Sequence, residues 1–317
     1  MSGSIQTNQR VSVIGLGAMG SSIARTLIDG GYRVSVWNRS RGKIDAMASL
    51  GALACESPKE ALTHSSYTVV CLKDYPVWKR VIEDYGLHDD VNGACVIQLT
   101  GGTMDEVREH AAFIEAHGGR IADGALMCFP RQLGTDDASL LVAGASDVLE
   151  DCAPLLGVLA PGWTHLGDDV TRPAVLSRAL TAGILTSLIG LINGIAICQA
   201  GGISLDVFMR HIQQANAFLP GEKNRLIEAV RDGRTADTQA SINTWLGAHQ
   251  TIHSVAGTLG TNLVLQDTVQ VVLREAQRQG LGEFDLSSLV KVFTHDALKG
   301  GGASAREDPV SYKGPGF

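Results

Sequence analysis

The sequence has no lysine between Lys79 and Lys223, no charged residue between positions 179 and 205, and no C-x-x-C pair among its six cysteines. Each gap excludes something. Cysteines scattered at positions 55, 71, 95, 128, 152 and 198 make neither a zinc site nor a disulfide framework, and they fit a reducing compartment. An excess of positive charge is also missing. The 26 Lys+Arg stand against 33 Asp+Glu, a net charge of -7, so no global field draws the chain to nucleic acid. The first ten residues lack the apolar stretch of a secretion signal, and a cytoplasmic location is expected. The uncharged stretch 179–205 is long enough to span a bilayer. Thr181, Thr186, Ser187, Asn193 and Gln199 interrupt it, so a helix buried at a domain or subunit interface is the better reading.

What is present is a globular chain. Its 317 residues allow one large or two ordinary domains, and 44% hydrophobic with 19% charged residues argues against extended disorder. Up to about residue 167, short apolar runs alternate with amphipathic stretches, the pattern of a parallel sheet covered by helices. Strands are predicted at 11–15, 33–37, 67–72, 95–99, 120–123 and 139–143, with helices at 21–29, 43–50, 58–62, 76–83 and 104–117. From about residue 171 the periodicity is helical throughout. The expected architecture is α/β: a flexible segment 1–10, a doubly wound Rossmann domain 11–170, an all-α domain 171–299, and a disordered tail 300–317 beginning at three glycines.

The first predicted strand runs into Gly15-Leu16-Gly17-Ala18-Met19-Gly20 and then a helix. A G-x-G-x-x-G alone is weak, but between a strand and a helix it marks a dinucleotide site. Gly15 permits the tight turn, Gly17 lets the backbone approach a pyrophosphate, and Gly20 allows helix and strand to pack closely; the helix N-terminus offers unpaired N–H donors. At the end of the second strand, an NAD site normally places a carboxylate for the ribose hydroxyls. Here the chain reads Asn38-Arg39-Ser40-Arg41, with Lys43 close behind. A guanidinium and a hydroxyl suit a 2'-phosphate, so NADPH (NADP+) is the expected cofactor. Cys71, Leu72 and Lys73, together with Thr100 and Gly101, sit after two further strands, where ligands gather in this architecture. A plain strand-to-helix connection capped by Thr103 is the alternative for the second of these loops.

The glycine motif, Asn38-Arg39-Ser40, Leu99-Thr100-Gly101-Gly102-Thr103 and a helical half opened by a long apolar helix together resemble the NADPH-dependent imine reductases, relatives of the β-hydroxyacid and 6-phosphogluconate dehydrogenases. The resemblance spans roughly residues 10–298. It implies a homodimer whose helical halves exchange and share two active sites, which would account for the uncharged helix. It also places Asp123-Gly124-Ala125-Leu126-Met127 and Cys128 at the nicotinamide end of the cleft, with Asn193 nearby.

β-Hydroxyacid dehydrogenases carry a lysine early in the long helix as proton partner of the reacting oxygen, and imine reductases usually carry Asp or Tyr there. Alignment through Gly190 and Ala196 puts Ser177 at this place, flanked by Leu176 and Arg178. The chain departs from both patterns. An imine can enter already protonated, so general acid catalysis becomes optional, and Ser177 or Thr181 one turn on need only position it. Packing is the competing role for Ser177, and Arg178 is expected to be solvated or paired. Trp245, His249 and His253 recur on one helix face, either as a wall of the substrate pocket or as ordinary packing. His249-Gln250-Thr251-Ile252-His253 has the two-histidine spacing of a zinc helix, but Gln250 replaces the glutamate and no third ligand is evident, so no metal is expected. The expected function is NADPH-dependent reduction of a cyclic imine or iminium to an amine. The alternatives are a β-hydroxyacid dehydrogenase-like carbonyl reductase, disfavoured by the missing lysine, and a catalytically silent NADPH-binding homologue.

Overall fold

The computed structural model describes residues 9–294, so the expected 300–317 tail and most of the expected 1–10 segment lie outside the described residues. The chain divides into two compact units, the first ending at Ile184 and the second beginning at Leu185. The division falls inside a long helix, beyond the boundary expected at residues 170/171.

The first unit is an eight-stranded sheet of order β3-β2-β1-β4-β5-β6-β7-β8. Its strands are β1 (Arg10–Ile14), β2 (Arg33–Trp37), β3 (Leu53–Ala54), β4 (Tyr67–Val70), β5 (Cys95–Gln98), β6 (Arg120–Leu126), β7 (Leu140–Gly144) and β8 (Thr164–His165). Helices α1 (Ala18–Asp29), α2 (Arg41–Ala48), α3 (Pro58–His64), α4 (Tyr75–Tyr85), α5 (Met104–Ala116) and α6 (Ser146–Leu159) accompany it. Val11, Val13 and Ile14 of β1, Val69 and Val70 of β4, and Val96 and Ile97 of β5 are fully buried. Such near-continuous apolar runs are what a parallel strand covered on both faces requires.

Several expected boundaries shift. The helix expected at 21–29 begins at Ala18, because the last residues of the glycine motif already form its first turn. The strands expected at 67–72 and 95–99 stop at Val70 and Gln98, which releases Cys71, Leu72 and Leu99 into loops above the sheet. β6 continues to Leu126, and β7 runs antiparallel to it. The connection between them holds a 3-10 turn at Pro130–Gln132 instead of a crossover helix, so the chain turns back on itself. β3 and β8, at two residues each, are too short to leave a periodic signal.

Helix α7 (Arg172–Ala200) links the units. Only Pro173, Ala174 and Ser177 along it are buried, while Ile184, Leu188 and Ile192 are exposed. It is long and apolar enough to cross a membrane, the one such helix among the described residues. The second unit continues with α8 (Leu205–Asn216), α9 (Leu219–Arg231), α10 (Ile242–Thr258) and α11 (Val264–Arg278). Its core joins Ile242 and Leu246 of α10 to Leu273 and Ala276 of α11 and to Leu281.

Candidate active site

Gly15 follows β1 at φ +99°, and a Cβ there would lie 2.3 Å from the Cys71 carbonyl oxygen; a Cβ on Gly20 would lie 2.0 Å from the Gly15 carbonyl oxygen. Both glycines are thus required by close backbone approach. Gly17 differs, because nothing lies within 4 Å of its would-be Cβ. The open side of this turn faces a hollow of about 550 Å³. Gly17 caps α1 without a side-chain hydrogen bond, and no acid occupies the first turn, so the helix offers its free amides to an anion.

Asn38, Arg39, Ser40, Lys43, Cys71, Leu72 and Lys73 border the same hollow with the glycine motif, from Gly15 through Leu16, Ala18 and Met19 to Gly20. Asn38 braces the loop: its Oδ1 accepts from the Leu16 amide at 3.0 Å and its Nδ2 donates to the Ser40 carbonyl at 3.3 Å. Arg41 is tied to Asp45 at 2.9 Å and Glu56 at 2.5 Å, whereas Arg39 has no ion pair among the described residues. Arg80 of α4 also borders the hollow, a residue the sequence reading missed. Arg39, Lys43, Lys73 and Arg80 against Asp84 make the surface strongly cationic, which suits a polyanionic dinucleotide with a 2'-phosphate.

Met19, Cys71 and Leu72 border a second cavity as well, of about 760 Å³. Thr100, Gly101, Met127, Cys128, Ser177 and Thr181 line it, so the expected reacting residues of the first unit converge there. Thr100 ties two loops together: its Oγ1 accepts from the Leu72 amide at 3.1 Å, and its own amide donates to Gln98 Oε1 at 3.0 Å. Burial pushes the Cys71 thiol up to about 11 and raises the Cys128 thiol too, so neither is a ready thiolate.

Ser177 is buried, and its hydroxyl donates to the Ala174 carbonyl at 3.2 Å. Thr181 likewise donates to the Ser177 carbonyl at 2.7 Å. Both hydroxyl protons are committed to the helix, and what each side chain offers the cavity is an oxygen lone pair. The acid in this cavity is Asp123 of β6, almost fully buried and hydrogen-bonded by the Tyr75 hydroxyl. Burial pushes its carboxyl up to about 8, with the Tyr75 bond pulling weakly the other way. Asp123 therefore stays neutral at pH 7 and carries a proton. Its position in Asp123-Gly124-Ala125-Leu126-Met127 was visible in the sequence, but its protonation and its partner Tyr75, 48 residues away, were not.

The remaining expected pocket residues belong to the second unit. His249 is buried, and its Nε2 pairs with Gln266 Oε1 at 2.9 Å, while Gln266 Nε2 donates to Asn193 Oδ1 at 2.7 Å. His253 pairs with Asp267 at 2.8 Å, and Trp245 is half-exposed. Each of the two histidines is thus held by a residue of α11. Three metal-capable groups do meet at Cys55, Glu60 and His64. They are engaged within the chain: burial pushes Cys55 up to about 11, His64 Nδ1 lies 2.7 Å from the Glu60 carbonyl, and Glu60 accepts from the Glu56 amide.

A family model described as the NAD binding domain of 6-phosphogluconate dehydrogenase matches residues 10–167. A second, described as the C-terminal domain of NADPH-dependent reductive aminase-like proteins, matches residues 169–295. An NADPH-dependent reductive aminase from Aspergillus oryzae is 24% identical over 296 residues, covering 90% of this chain and 97% of its own. The imine reductase from Myxococcus stipitatus, solved with NADP+, superposes with a TM-score of 0.86 at 28% identity over 90% of this chain and 100% of that one. An imine reductase from Pseudomonas sp. gives 0.84 at 27% identity, covering 91% and 100%. With both models matched in order along one α/β-then-helical chain, the protein belongs to the NADPH-dependent imine reductase and reductive aminase family.

Proposed function

We propose that this chain reduces the C=N bond of a cyclic imine or iminium to an amine, using NADPH. The observation that carries the reading is a cationic dinucleotide hollow that shares Met19, Cys71 and Leu72 with a lysine-free cavity. Gly15, Gly17, Gly20, Arg39, Ser40, Lys43 and Lys73 hold the cofactor's phosphates and adenosine end, and Thr100 and Gly101 shape the loop at its nicotinamide end. Bound NADPH supplies the hydride. A β-hydroxyacid dehydrogenase needs a proton partner for an alkoxide, and Ser177, with its own proton committed to Ala174, does not provide one.

The proton comes from Asp123 when the imine enters neutral. The imine nitrogen takes the Asp123 proton as the carbon receives hydride; Asp123 is left a carboxylate that the Tyr75 O–H stabilises, and water re-protonates it after release. Ser177 and Thr181 accept a hydrogen bond from the nascent N–H. Met127 and Cys128 wall the reacting end, and Asn193, Trp245 and His249 complete the pocket within the assembled protein.

The assembly is a homodimer in the cytoplasm. The support is the row of exposed apolar side chains on α7, which a second copy covers far more cheaply than water does. The deciding experiment follows NADPH oxidation with a small cyclic imine beside its carbonyl analogue. Imine turnover with an inert ketone is expected. Oxidation with the β-hydroxyacid's keto form instead, or NADPH binding without turnover across a broad imine panel, would replace this reading by one of its two alternatives.

A further inference from the structure

The reacting cavity has an unusual charge. Where the family pattern sets Asp or Tyr, this chain has Ser177, and the next residue, Arg178, also lines the cavity. The residue is exposed, and its guanidinium nonetheless lies over the cavity's rim. It lies across the loop after β5, where a Cβ on Gly101 would meet its Nη2 at 2.7 Å and its Cζ at 3.7 Å. The neighbouring Gly102 is closed from the other direction by the Tyr75 ring, 2.4 Å from its would-be Cβ. The loop is thus held between Arg178 and Tyr75, and two consecutive glycines make room for both. Arg172, six residues earlier on α7, donates to the Leu166 carbonyl at 2.7 Å, whereas Arg178 has no ion pair among the described residues.

The remaining lining of the cavity is uncharged except for Asp123, which burial keeps neutral at pH 7. The cavity therefore carries about one positive charge where a site evolved for a simple iminium cation would carry a negative one. An unadorned iminium is repelled by that guanidinium. A substrate with its own anion reverses the sign. A guanidinium also matches a carboxylate with two parallel N–H donors, which fixes orientation as well as charge.

We infer that the substrate of this cavity is an imine bearing a carboxylate close to its C=N bond, with Arg178 holding that carboxylate across Gly101. This rests on the C=N-reducing function proposed above and names its substrate class. Arg178 then sets specificity, while Asp123 supplies the proton.

The test compares 1-pyrroline-2-carboxylate with 2-methyl-1-pyrroline, the same ring with and without the anion, and measures binding of the planar analogue pyrrole-2-carboxylate to the NADP+-loaded protein by calorimetry. The wild type is expected to favour the carboxylate at least tenfold in kcat/KM. Arg178→Gln should lower kcat/KM for the carboxylate about 10- to 100-fold, mostly through KM, and affect the methyl compound far less. Arg178→Lys should recover part of the loss, and pyrrole-2-carboxylate should bind the wild type more tightly than Arg178→Gln. Equal preference for the two imines, or equal binding of the analogue to both proteins, overturns the inference. If neither imine is reduced but the analogue binds in an Arg178-dependent way, the carboxylate site stands and the C=N reading fails; if neither is reduced and nothing binds, both fail.

Discussion

The two hollows of the first unit differ in how they are built. The dinucleotide hollow is made mostly by local chain geometry, a glycine turn, a helix N-terminus and a short cationic loop within about 30 residues of sequence, and is completed by the loop after β4 and by α4. The reacting cavity draws on β6, the loop after β5 and the first turns of α7, and its decisive groups meet only through the fold. The first can therefore tolerate few backbone changes but many changes elsewhere. The second is tuned by side-chain neutrality, with an acid kept protonated, two hydroxyls turned to their helix and one guanidinium left over.

The sharpest way to break this contrast is Gly15→Ala. A methyl group placed 2.3 Å from the Cys71 carbonyl at φ +99° forces the turn open, at a cost of about 3 kcal/mol, and abolishes measurable NADPH binding. Thermal unfolding and NADPH titration check both effects, and a variant that binds normally would show the hollow to be less constrained than its geometry demands. Arg39→Ala comes next. Loss of a charge-assisted phosphate contact should weaken NADPH about 10- to 100-fold while NADH affinity moves far less, measured as two dissociation constants. An equal change for both cofactors would remove Arg39 from 2'-phosphate recognition.

On the reacting side the smaller effects are in pH. Asp123 in the folded state titrates near 8 against 3.8 for the free group, so its contribution to stability is present at low pH and lost as pH rises through 8. His110, buried on α5 and pushed down to about 4 from 6.5, works in the opposite direction and is lost as pH falls below 6.5. Between about 4 and 6.5 the folded chain holds the Asp123 proton and the unfolded chain the His110 proton, so the two cancel. Above 6.5 only Asp123 is left, and stability should fall by about 1.4 kcal/mol per pH unit up to pH 8. Asp123→Asn should flatten that slope in denaturant titrations and lower turnover of neutral imines. Tyr75→Phe, which removes a bond favouring the carboxylate, should shift the alkaline limb of kcat/KM to higher pH with a modest loss of rate. A limb that stays in place would separate Asp123 from the proton transfer.

The same division governs what could be read from residues in order. The alternating pattern, the glycine turn and the absence of a carboxylate after β2 carry the Rossmann unit and its cofactor preference, because φ > 0 at Gly15 and the free α1 amides are properties of a few neighbouring residues. Asn38 was legible as a site residue, although its amide proves to brace the Leu16 amide. Arg178 was expected to be solvated or paired, and it is exposed; only the fold also lays its guanidinium beside Gly101. The His249–His253 spacing was ambiguous in the sequence, and the partners that α11 presents to the two rings, Gln266 and Asp267, appear only in the fold.

By itself, the sequence determined the order of the two halves, the dinucleotide turn and the loss of an ionisable side chain at position 177, since these follow from local stereochemistry and residue identity. Only the tertiary structure decided that Asp123 is neutral, that Tyr75 is its partner, and that Arg178 is the cavity's charge. Burial and long-range convergence set those properties, and neither is a function of neighbouring residues in the chain.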